Sequence, residues 1–293
     1  MFPGGKKRNN PPCFLLILSK YDFYGGIMSL NWITEKELNE IPFDTFLLLE
    51  ECQLNWIDEE RYADAWGLAL RAHPYVVWAI AKRAPQKAAW AERMLKHGKA
   101  LPPADTQALF QAERTLLRAY EDWIAYAVNP EIYHRQPFLQ WDERELTGLC
   151  DFAGKRVVDV GSGTGKQAFA VAPLCKAVYC VEPAWSLRRF LRERAEREHV
   201  KNLYVADGLM ESLPFEDGFA DIITSGHVFG DSPDAELAEM LRVTKPGGMV
   251  ILIPGNNDCD NAVHHFLTDI GFAFGRFEEP GDGWKRKYWL TKG

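Results

Sequence analysis

The sequence predicts an α/β fold, in which an all-helical region precedes a mostly parallel sheet with helices on both faces. After Gly154, short β-rich runs alternate with helical ones, which is typical of a parallel sheet covered by helices. The run Met249-Val250-Ile251-Leu252-Ile253 is apolar throughout, as suits a strand buried on both faces. The predicted strands are 156–160, 177–181, 202–206, 221–225 and 248–254, and the helices between them include 186–197 and 234–243.

Before about residue 150 the pattern is helical throughout. Thr34 with Glu37, and Asp142 with Glu145, have the spacing of capping boxes. Apolar residues at helical spacing predict one amphipathic helix over 105–128, and prolines divide the region into about five helices. We therefore expect a helical region over residues 28–150 and a second domain over residues 151–293.

The first 27 residues differ from the rest of the chain. Three bases, Lys6 to Arg8, precede an apolar run over 14–18. This run is shorter than the apolar core of a signal peptide, and no small-residue cleavage site follows it. We interpret residues 1–27 as a disordered leader or as sequence upstream of a true start at Met28. No stretch approaches the roughly 20 apolar residues that span a bilayer.

Composition and charge exclude several classes of protein. The net charge of −7 argues against a nucleic-acid-binding protein, which needs a basic face. The six cysteines have no zinc-ligand spacing and suit a reducing cytosol, so we expect a cytoplasmic protein. His264 and His265, with Cys259 and Asp260 nearby, are a conceivable metal site. Adjacent helical residues point about 100° apart, however, and we expect no metal.

The strongest motif is a glycine-rich turn after the first predicted strand, Val157-Val158-Asp159-Val160-Gly161-Ser162-Gly163-Thr164-Gly165. Glycines at alternate positions let the backbone turn tightly and approach a ligand without interference from Cβ atoms. A P-loop is excluded because Gly165-Lys166 is followed by Gln167, and the spacing of the glycines excludes the GxGxxG dinucleotide motif. For this triplet alone, a plain strand–helix turn remains the alternative.

Two acidic residues end the next two predicted strands. Glu182 lies about twenty residues after the glycine turn, where an acid can accept hydrogen bonds from ribose hydroxyls. Asp207 is followed by Gly208 and Leu209 at the end of the third strand. Each acid has an ordinary alternative, because Glu182 could be a surface carboxylate and Asp207 a turn residue or a helix cap.

Together with the runs 212–223 and 239–248, these segments resemble the class I S-adenosylmethionine (SAM)-dependent methyltransferases of the type 11 subgroup, which includes quinone-biosynthesis enzymes. The resemblance covers about residues 155–255. It implies SAM as the cofactor and a Rossmann-like, seven-stranded, mostly parallel sheet. In related enzymes a helical region such as 28–150 covers the site and selects the substrate. The predicted tail, a helix over 262–269 and strands over 271–277 and 284–290, also fits, with the last strand inserted antiparallel.

The resemblance also implies a set of cofactor-binding residues. In the family, the acid that matches Asp207 takes the adenine amino group, and the next backbone amides meet the ring nitrogens. The segment 133–136 can cross the methionine end of SAM, where Arg135 would meet the carboxylate, with a solvated turn as the alternative. The expected residues are Asp159, Gly161, Ser162, Gly163, Thr164, Gly165, Glu182, Pro183, Asp207, Gly208, Leu209, Ser225 and Arg135.

The methyl acceptor is harder to infer, because methyl transfer from SAM depends on positioning more than on a fixed catalytic motif. Enzymes that methylate nucleobase or glutamine nitrogens commonly carry Asp/Asn-Pro-Pro-Tyr/Phe after the fourth strand, where this chain has Ser225-Gly226-His227-Val228. We therefore favour O-, C- or S-methylation of a small molecule. The alternatives are N-methylation of a small molecule or protein and a non-catalytic SAM-binding partner subunit. The oligomeric state stays open.

His227 is the candidate catalytic residue. It follows the fourth strand at the carboxyl edge of the sheet, where ligands bind in this type of fold. An imidazole can take a proton near neutral pH, so it could deprotonate a phenol or enol or simply orient it. The alternative is a histidine that caps the following helix or contacts the backbone around the cofactor.

Overall fold

A computed structural model describes residues 32–293 of the chain. The prediction for residues 1–27, and the start at Met28, lie outside these residues. Within 32–293, no helix combines the length and the apolar character that crossing a membrane requires. The cysteines of this range are free, and Cys180 is buried in the second strand.

Seven strands of the described chain form one sheet: β1 (Arg156–Val160), β2 (Ala177–Val181), β3 (Leu203–Ala206), β4 (Ala220–Gly226), β5 (Thr244–Ile253), β6 (Ala273–Glu279) and β7 (Gly283–Thr291). Their order across the sheet is β3-β2-β1-β4-β5-β7-β6. Strands β1 to β5 pair in parallel, whereas β7 lies antiparallel to both β5 and β6. This confirms the predicted fold class, including the antiparallel insertion of the last strand.

Helices precede the sheet and then alternate with its strands. Within residues 32–293, the helices that follow β1, β2, β4 and β5 are α10 (Lys166–Val171), α11 (Trp185–Arg197), α12 (Pro233–Val243) and α13 (Ala262–Ile270). Those before β1 are α1 (Glu35–Glu40), α2 (Glu51–Asn55), α3 (Ala63–Ala72), α4 (Pro74–Arg83), α5 (Ala88–Ala100), α6 (Thr106–Ala119), α7 (Glu121–Val128), α8 (Pro130–His134) and α9 (Arg144–Thr147). Three short 3-10 helices lie among them, Phe43–Leu48, Pro85–Lys87 and Pro137–Leu139.

The predicted strands agree with the observed ones except at their ends. Strand β5 begins at Thr244 rather than at 248, because Thr244 already pairs with Ala220 before the register shifts. Strand β6 begins two residues later than predicted, because Gly271, with φ of 105°, ends α13 in the left-handed conformation. Strand β6 ends at Glu279, two residues beyond the predicted end, where Glu279 pairs with Gly283 of β7.

The helical region is more broken than predicted, with nine helices in its described part rather than about five. The single helix expected over 105–128 is two helices, α6 and α7, which meet at Tyr120. Tyr120 leaves helical geometry (φ −117°, ψ 35°) and packs its ring against Trp66 and Trp123. The break also lets the buried carboxylate of Glu121 accept a hydrogen bond from the backbone N–H of Ile33. Tertiary packing therefore overrides the helical periodicity.

One of the two predicted capping boxes forms. Thr34 and Glu37 exchange the expected side-chain to backbone hydrogen bonds at the start of α1. The prediction for Asp142 and Glu145 is wrong. The Asp142 carboxylate accepts from the backbone N–H of Arg144 instead, at 2.9 Å, and α9 begins only at Arg144.

Three apolar clusters stabilise the described chain. One consists of residues between 33 and 125 and surrounds the buried rings of Phe46, Trp66 and Trp90. The other two contain residues of the sheet together with the helices beside it. Trp141 belongs to one of these sheet clusters, so the segment before β1 packs on the sheet. The division into domains at residue 150 stays a prediction.

Candidate functional site

A narrow pocket lies at the carboxyl ends of β1 and β4, next to the point where the strand order reverses. Open α/β sheets bind ligands at this position. Its wall contains Asp159, Gly161, Ser162, Thr164 and His227 of the predicted site residues. The pocket is completed by Tyr133, Leu139, Trp141, Lys166, Gln167, Gly226 and Ile253.

The glycine turn has the backbone geometry that its sequence predicts. Gly161, Gly163 and Gly165 have φ of 67°, 55° and 89°, in the left-handed region that favours glycine. The Tyr133 ring of α8 lies against Gly163, where a methyl group would be 3.0 Å from the ring carbon Cε1. Because Gly163 has no Cβ atom, the Tyr133 ring can pack closely on the glycine turn.

Two buried acids support this turn from below. Glu182, 5% exposed, accepts hydrogen bonds from the backbone N–H groups of Gly163 and Ala184, each at 2.9 Å. Asp159, 1% exposed, accepts from the backbone N–H of Ala168 in the first turn of α10, at 3.2 Å. Burial raises the pKa of both carboxyl groups to about 7. Both therefore change charge near neutral pH.

The end of β3 contributes a more exposed group. The side chain of Asp207 is 71% exposed, and its carboxylate lies 2.9 Å from the Arg188 guanidinium. Arg188 also donates to the backbone carbonyls of Glu182 and Pro183. Gly208 and Leu209 follow Asp207 near the surface, and Leu209 is 40% exposed. Arg188 thus connects the ends of β2 and β3, which hold the two predicted acids.

His227 follows β4 in an unusual backbone conformation for a residue with a side chain, at φ of 63°. Its Nε2 lies 2.7 Å from the Oε1 atom of Glu279, at the end of β6. Its ring also packs against Phe138, with 5.2 Å between ring centroids. The histidine is therefore held in the pocket wall by residues from two other parts of the chain.

Comparisons with known proteins agree on one family. A methyltransferase domain model matches residues 158–252. An uncharacterised methyltransferase of Geobacillus kaustophilus is 30% identical over 190 residues, which cover 61% of this chain and 83% of that protein. The chain belongs to the class I SAM-dependent methyltransferases of type 11. This confirms the resemblance inferred from the glycine turn and the acids that follow it.

Two further relatives match over a shorter span. The demethylmenaquinone methyltransferase of Lactococcus lactis is 29% identical over 119 residues, which are 39% of this chain and 47% of that enzyme. An uncharacterised methyltransferase of Bacillus subtilis is 32% identical over 152 residues, which are 50% of this chain and 59% of that protein. The chain thus spans about half the length of these two relatives.

The cofactor of this methyltransferase family is SAM, and the pocket has polar groups that suit it. The hydroxyl oxygen of Thr164 in the pocket wall is buried, as is that of Ser225 on β4, which is not part of the wall, and neither has a hydrogen-bond partner among the described residues. Buried hydroxyl groups normally have partners, so the Thr164 hydroxyl is available to a polar ligand in the pocket. Two buried acids close by suit a ligand with hydroxyl and ammonium groups.

The structure does not bring Arg135 to this pocket. Its side chain is 79% exposed and lies 3.6 Å from Glu131, one helical turn earlier on α8. The cation in the pocket wall is instead that of Lys166, which begins α10. Its Nζ atom lies 3.3 Å from Glu143 and 4.9 Å from the centroid of the Trp141 ring.

Sequence reasoning missed four polar residues of the site. In the segment 133–136 the resemblance points to Arg135, whereas the Tyr133 ring is the part of that segment that meets the glycine turn. Lys166 and Gln167 directly follow the turn and served only to exclude a P-loop. Glu279 carried no local signal, since it lies 52 residues after His227 on a different strand.

The described residues form no metal site around His264 and His265. Within residues 32–293, no three His, Cys, Asp or Glu side chains are placed to hold one metal ion. His264 lies 3.4 Å from Asp260 and 3.3 Å from the Tyr288 hydroxyl.

Proposed function

We propose that this protein transfers the methyl group of SAM to a small-molecule acceptor, at oxygen, carbon or sulfur. SAM supplies a methyl group made electrophilic by its sulfonium. The observation that supports the proposal best is the meeting of the glycine turn and His227 in one pocket wall. Groups from β1 and β4 there can hold an acceptor in line with the methyl group, which is the main demand of the reaction.

In this proposal the predicted residues divide between the two ends of SAM. Each carboxylate oxygen of Glu182 accepts one backbone N–H and keeps a lone pair for a ribose hydroxyl. Asp207, with the amides of Gly208 and Leu209, takes the adenine. Asp159 and the hydroxyls of Thr164 and Ser225 serve the methionine end, where Lys166 replaces Arg135 as the partner of the carboxylate.

The pocket wall supports a partly apolar acceptor. Leu139, Trp141 and Ile253 contribute apolar surface beside the imidazole of His227. Small-molecule pockets generally combine such surface with a few oriented polar groups. By its name, the Lactococcus lactis relative acts on demethylmenaquinone, a small molecule, which also supports this acceptor class.

Calorimetry with SAM and S-adenosylhomocysteine (SAH) tests the cofactor assignment. We expect the full chain to bind both and expect Glu182→Ala to weaken SAH binding by about 1.5–3 kcal/mol, because it loses hydrogen bonds to a charged group. Glu193→Ala is the matched control, since the Glu193 side chain on α11 is 60% exposed. It should bind SAH as the wild type does.

Three results would contradict the proposal in different ways. Tight binding of NADH without binding of SAM would exclude SAM as the cofactor. Binding of SAM without any formation of SAH, in metabolite extracts supplied with methyl-labelled SAM, would favour the non-catalytic partner subunit. Label recovered on nitrogen would instead favour the N-methylation alternative.

A further inference from the structure

A buried contact between a histidine and a carboxylate lies beside the pocket. His227 Nε2 is 2.7 Å from Glu279 Oε1, and the Glu279 side chain is fully buried. The other carboxylate oxygen, Oε2, is buried and has no hydrogen-bond partner among the described residues. A buried carboxylate is unfavourable unless a donor or a positive charge compensates it. His227 is the residue that meets this requirement.

The ring of His227 is held on further sides. Phe138 packs against it from the 3-10 helix Pro137–Leu139. The backbone N–H of His227 donates to the carbonyl of Ile253 at the end of β5. Gly255, with φ of 75°, lies next to Nδ1, where a methyl group would be 2.5 Å from that atom. A side chain at residue 255 would therefore collide with Nδ1, and this nitrogen has no hydrogen-bond partner among the described residues.

We propose that Glu279 is a positioning residue that holds His227 in the Nε2–H tautomer, so that Nδ1 accepts a proton from the methyl acceptor. A carboxylate that accepts from one ring nitrogen fixes the tautomer and stabilises the imidazolium that forms when the other nitrogen is protonated. The inference rests on the proposed methyl transfer. It narrows the acceptor to a weakly acidic hydroxyl compound, such as a phenol or an enol.

In the transfer step, the acceptor hydroxyl gives its proton to Nδ1 of His227 while its oxygen forms the bond to the methyl carbon. The bond from the methyl carbon to sulfur breaks, and its electron pair stays on sulfur, which leaves SAH. The imidazolium then faces the Glu279 carboxylate and releases its proton to solvent after the product leaves. The other titratable groups around this pocket are Asp159 on β1, Tyr133 on α8 and Lys166 on α10.

Nitrogen NMR of histidine-labelled protein tests the tautomer without a known acceptor. At pH 8, we expect His227 to show a protonated Nε2 and an unprotonated Nδ1, with His227→Gln identifying its signals. Glu279→Ala should replace this single tautomer by a mixture. Glu278→Ala is the matched control, because Glu278 is the exposed neighbour on the same strand, and it should leave the tautomer unchanged.

Glu279→Gln separates the charge of the carboxylate from its shape. The amide oxygen can still accept from Nε2–H, so the tautomer should persist. Glu279→Leu removes the acceptor while it fills a similar space, so this variant should show the mixture of tautomers. This variant decides the question if Glu279→Ala does not fold. Retention of the single tautomer in Glu279→Leu would overturn the role of Glu279.

SAH binding, measured by calorimetry on the same samples, separates this inference from the proposed function. If the wild type binds SAH while His227 carries its proton on Nδ1, the positioning role is wrong and the proposed function stands. The same holds if Glu279→Ala folds and keeps the wild-type tautomer. If the wild type does not bind SAH, the proposed function itself is wrong.

Discussion

At the scale of single residues, the proposed roles of Asp159 and Glu182 predict that SAH binding depends on pH. Burial raises the pKa of both carboxyl groups to about 7, and the ionised form of Glu182 is the better acceptor for ribose hydroxyls. We therefore predict that SAH affinity rises about tenfold from pH 6 to pH 8, as Glu182 loses its proton. Calorimetry over this range measures the effect.

Glu182→Gln should bind more weakly and with a smaller pH dependence, whereas the exposed Glu193→Gln should follow the wild type. A flat wild-type profile would contradict the ribose assignment.

The raised pKa values of Asp159 and Glu182 affect the stability of the unliganded chain in the opposite direction, because stability decreases with pH where SAH affinity increases. Between the ordinary values, 3.8 for Asp159 and 4.5 for Glu182, and about 7, the folded chain holds protons that the unfolded chain releases. The free energy of unfolding without ligand should therefore fall as the pH rises through this window.

A site residue could be predicted when its neighbours in the sequence form a recognisable pattern. It could not be predicted when its position depends on distant parts of the chain. Glu182 could be inferred because it ends an apolar strand at a fixed distance from the glycine turn. Glu279 could not, because its position beside His227 depends on how β6 and β7 join the sheet. The family resemblance alone predicts Arg135 at the methionine end of SAM, whereas in the structure Arg135 directly follows α8 and its side chain extends toward solvent and Glu131.

At the scale of elements, the short helix α8 brings an aromatic ring onto the glycine turn. Tyr133 packs between that turn and the ring of Phe138. Burial and nearby carboxylates raise the pKa of the Tyr133 hydroxyl, so it stays protonated at neutral pH. We predict that Tyr133→Ala weakens SAH binding about tenfold, or about 1.4 kcal/mol, chiefly through faster dissociation in stopped-flow measurements.

Tyr133→Phe is the matched variant, because it keeps the ring and removes only the hydroxyl. It should bind SAH nearly as the wild type does. An equal loss in both variants would assign the effect to the hydroxyl, and wild-type affinity in Tyr133→Ala would show that α8 does not contact the ligand.

Elements of the sheet were easier to predict than those of the helical region. Strands such as β5 are buried on both faces, so their apolar runs stand out in the sequence. The helices before β1 pack around a common core, where breaks such as the one at Tyr120 depend on which rings fit together. Helical periodicity alone continues through such a break and predicts one long helix.

At the scale of the whole chain, the apolar clusters divide in a way that bears on substrate selection. The cluster of residues 33–125 is separate from the two clusters of the sheet. The helical region also contacts the sheet domain directly, for example through the hydrogen bond from the backbone N–H of Trp185 to Glu50, at 3.3 Å. We propose that the helical region selects the acceptor and opens more readily than the sheet.

This division predicts how a mutation in the helical core spreads. Trp66→Ala should destabilise that core by about 3–5 kcal/mol, because the buried ring packs on Trp90 and Phe46. Hydrogen exchange should then quicken in α3 and α5 while β1, β4 and β5 keep their protection. Trp78→Ala, which removes a ring that is 67% exposed on α4, is the control. It should change neither the stability of the helical core nor the rate of hydrogen exchange. If exchange quickens equally in the helices and the sheet, the chain unfolds as one cooperative unit, and the helical region cannot open by itself to admit an acceptor.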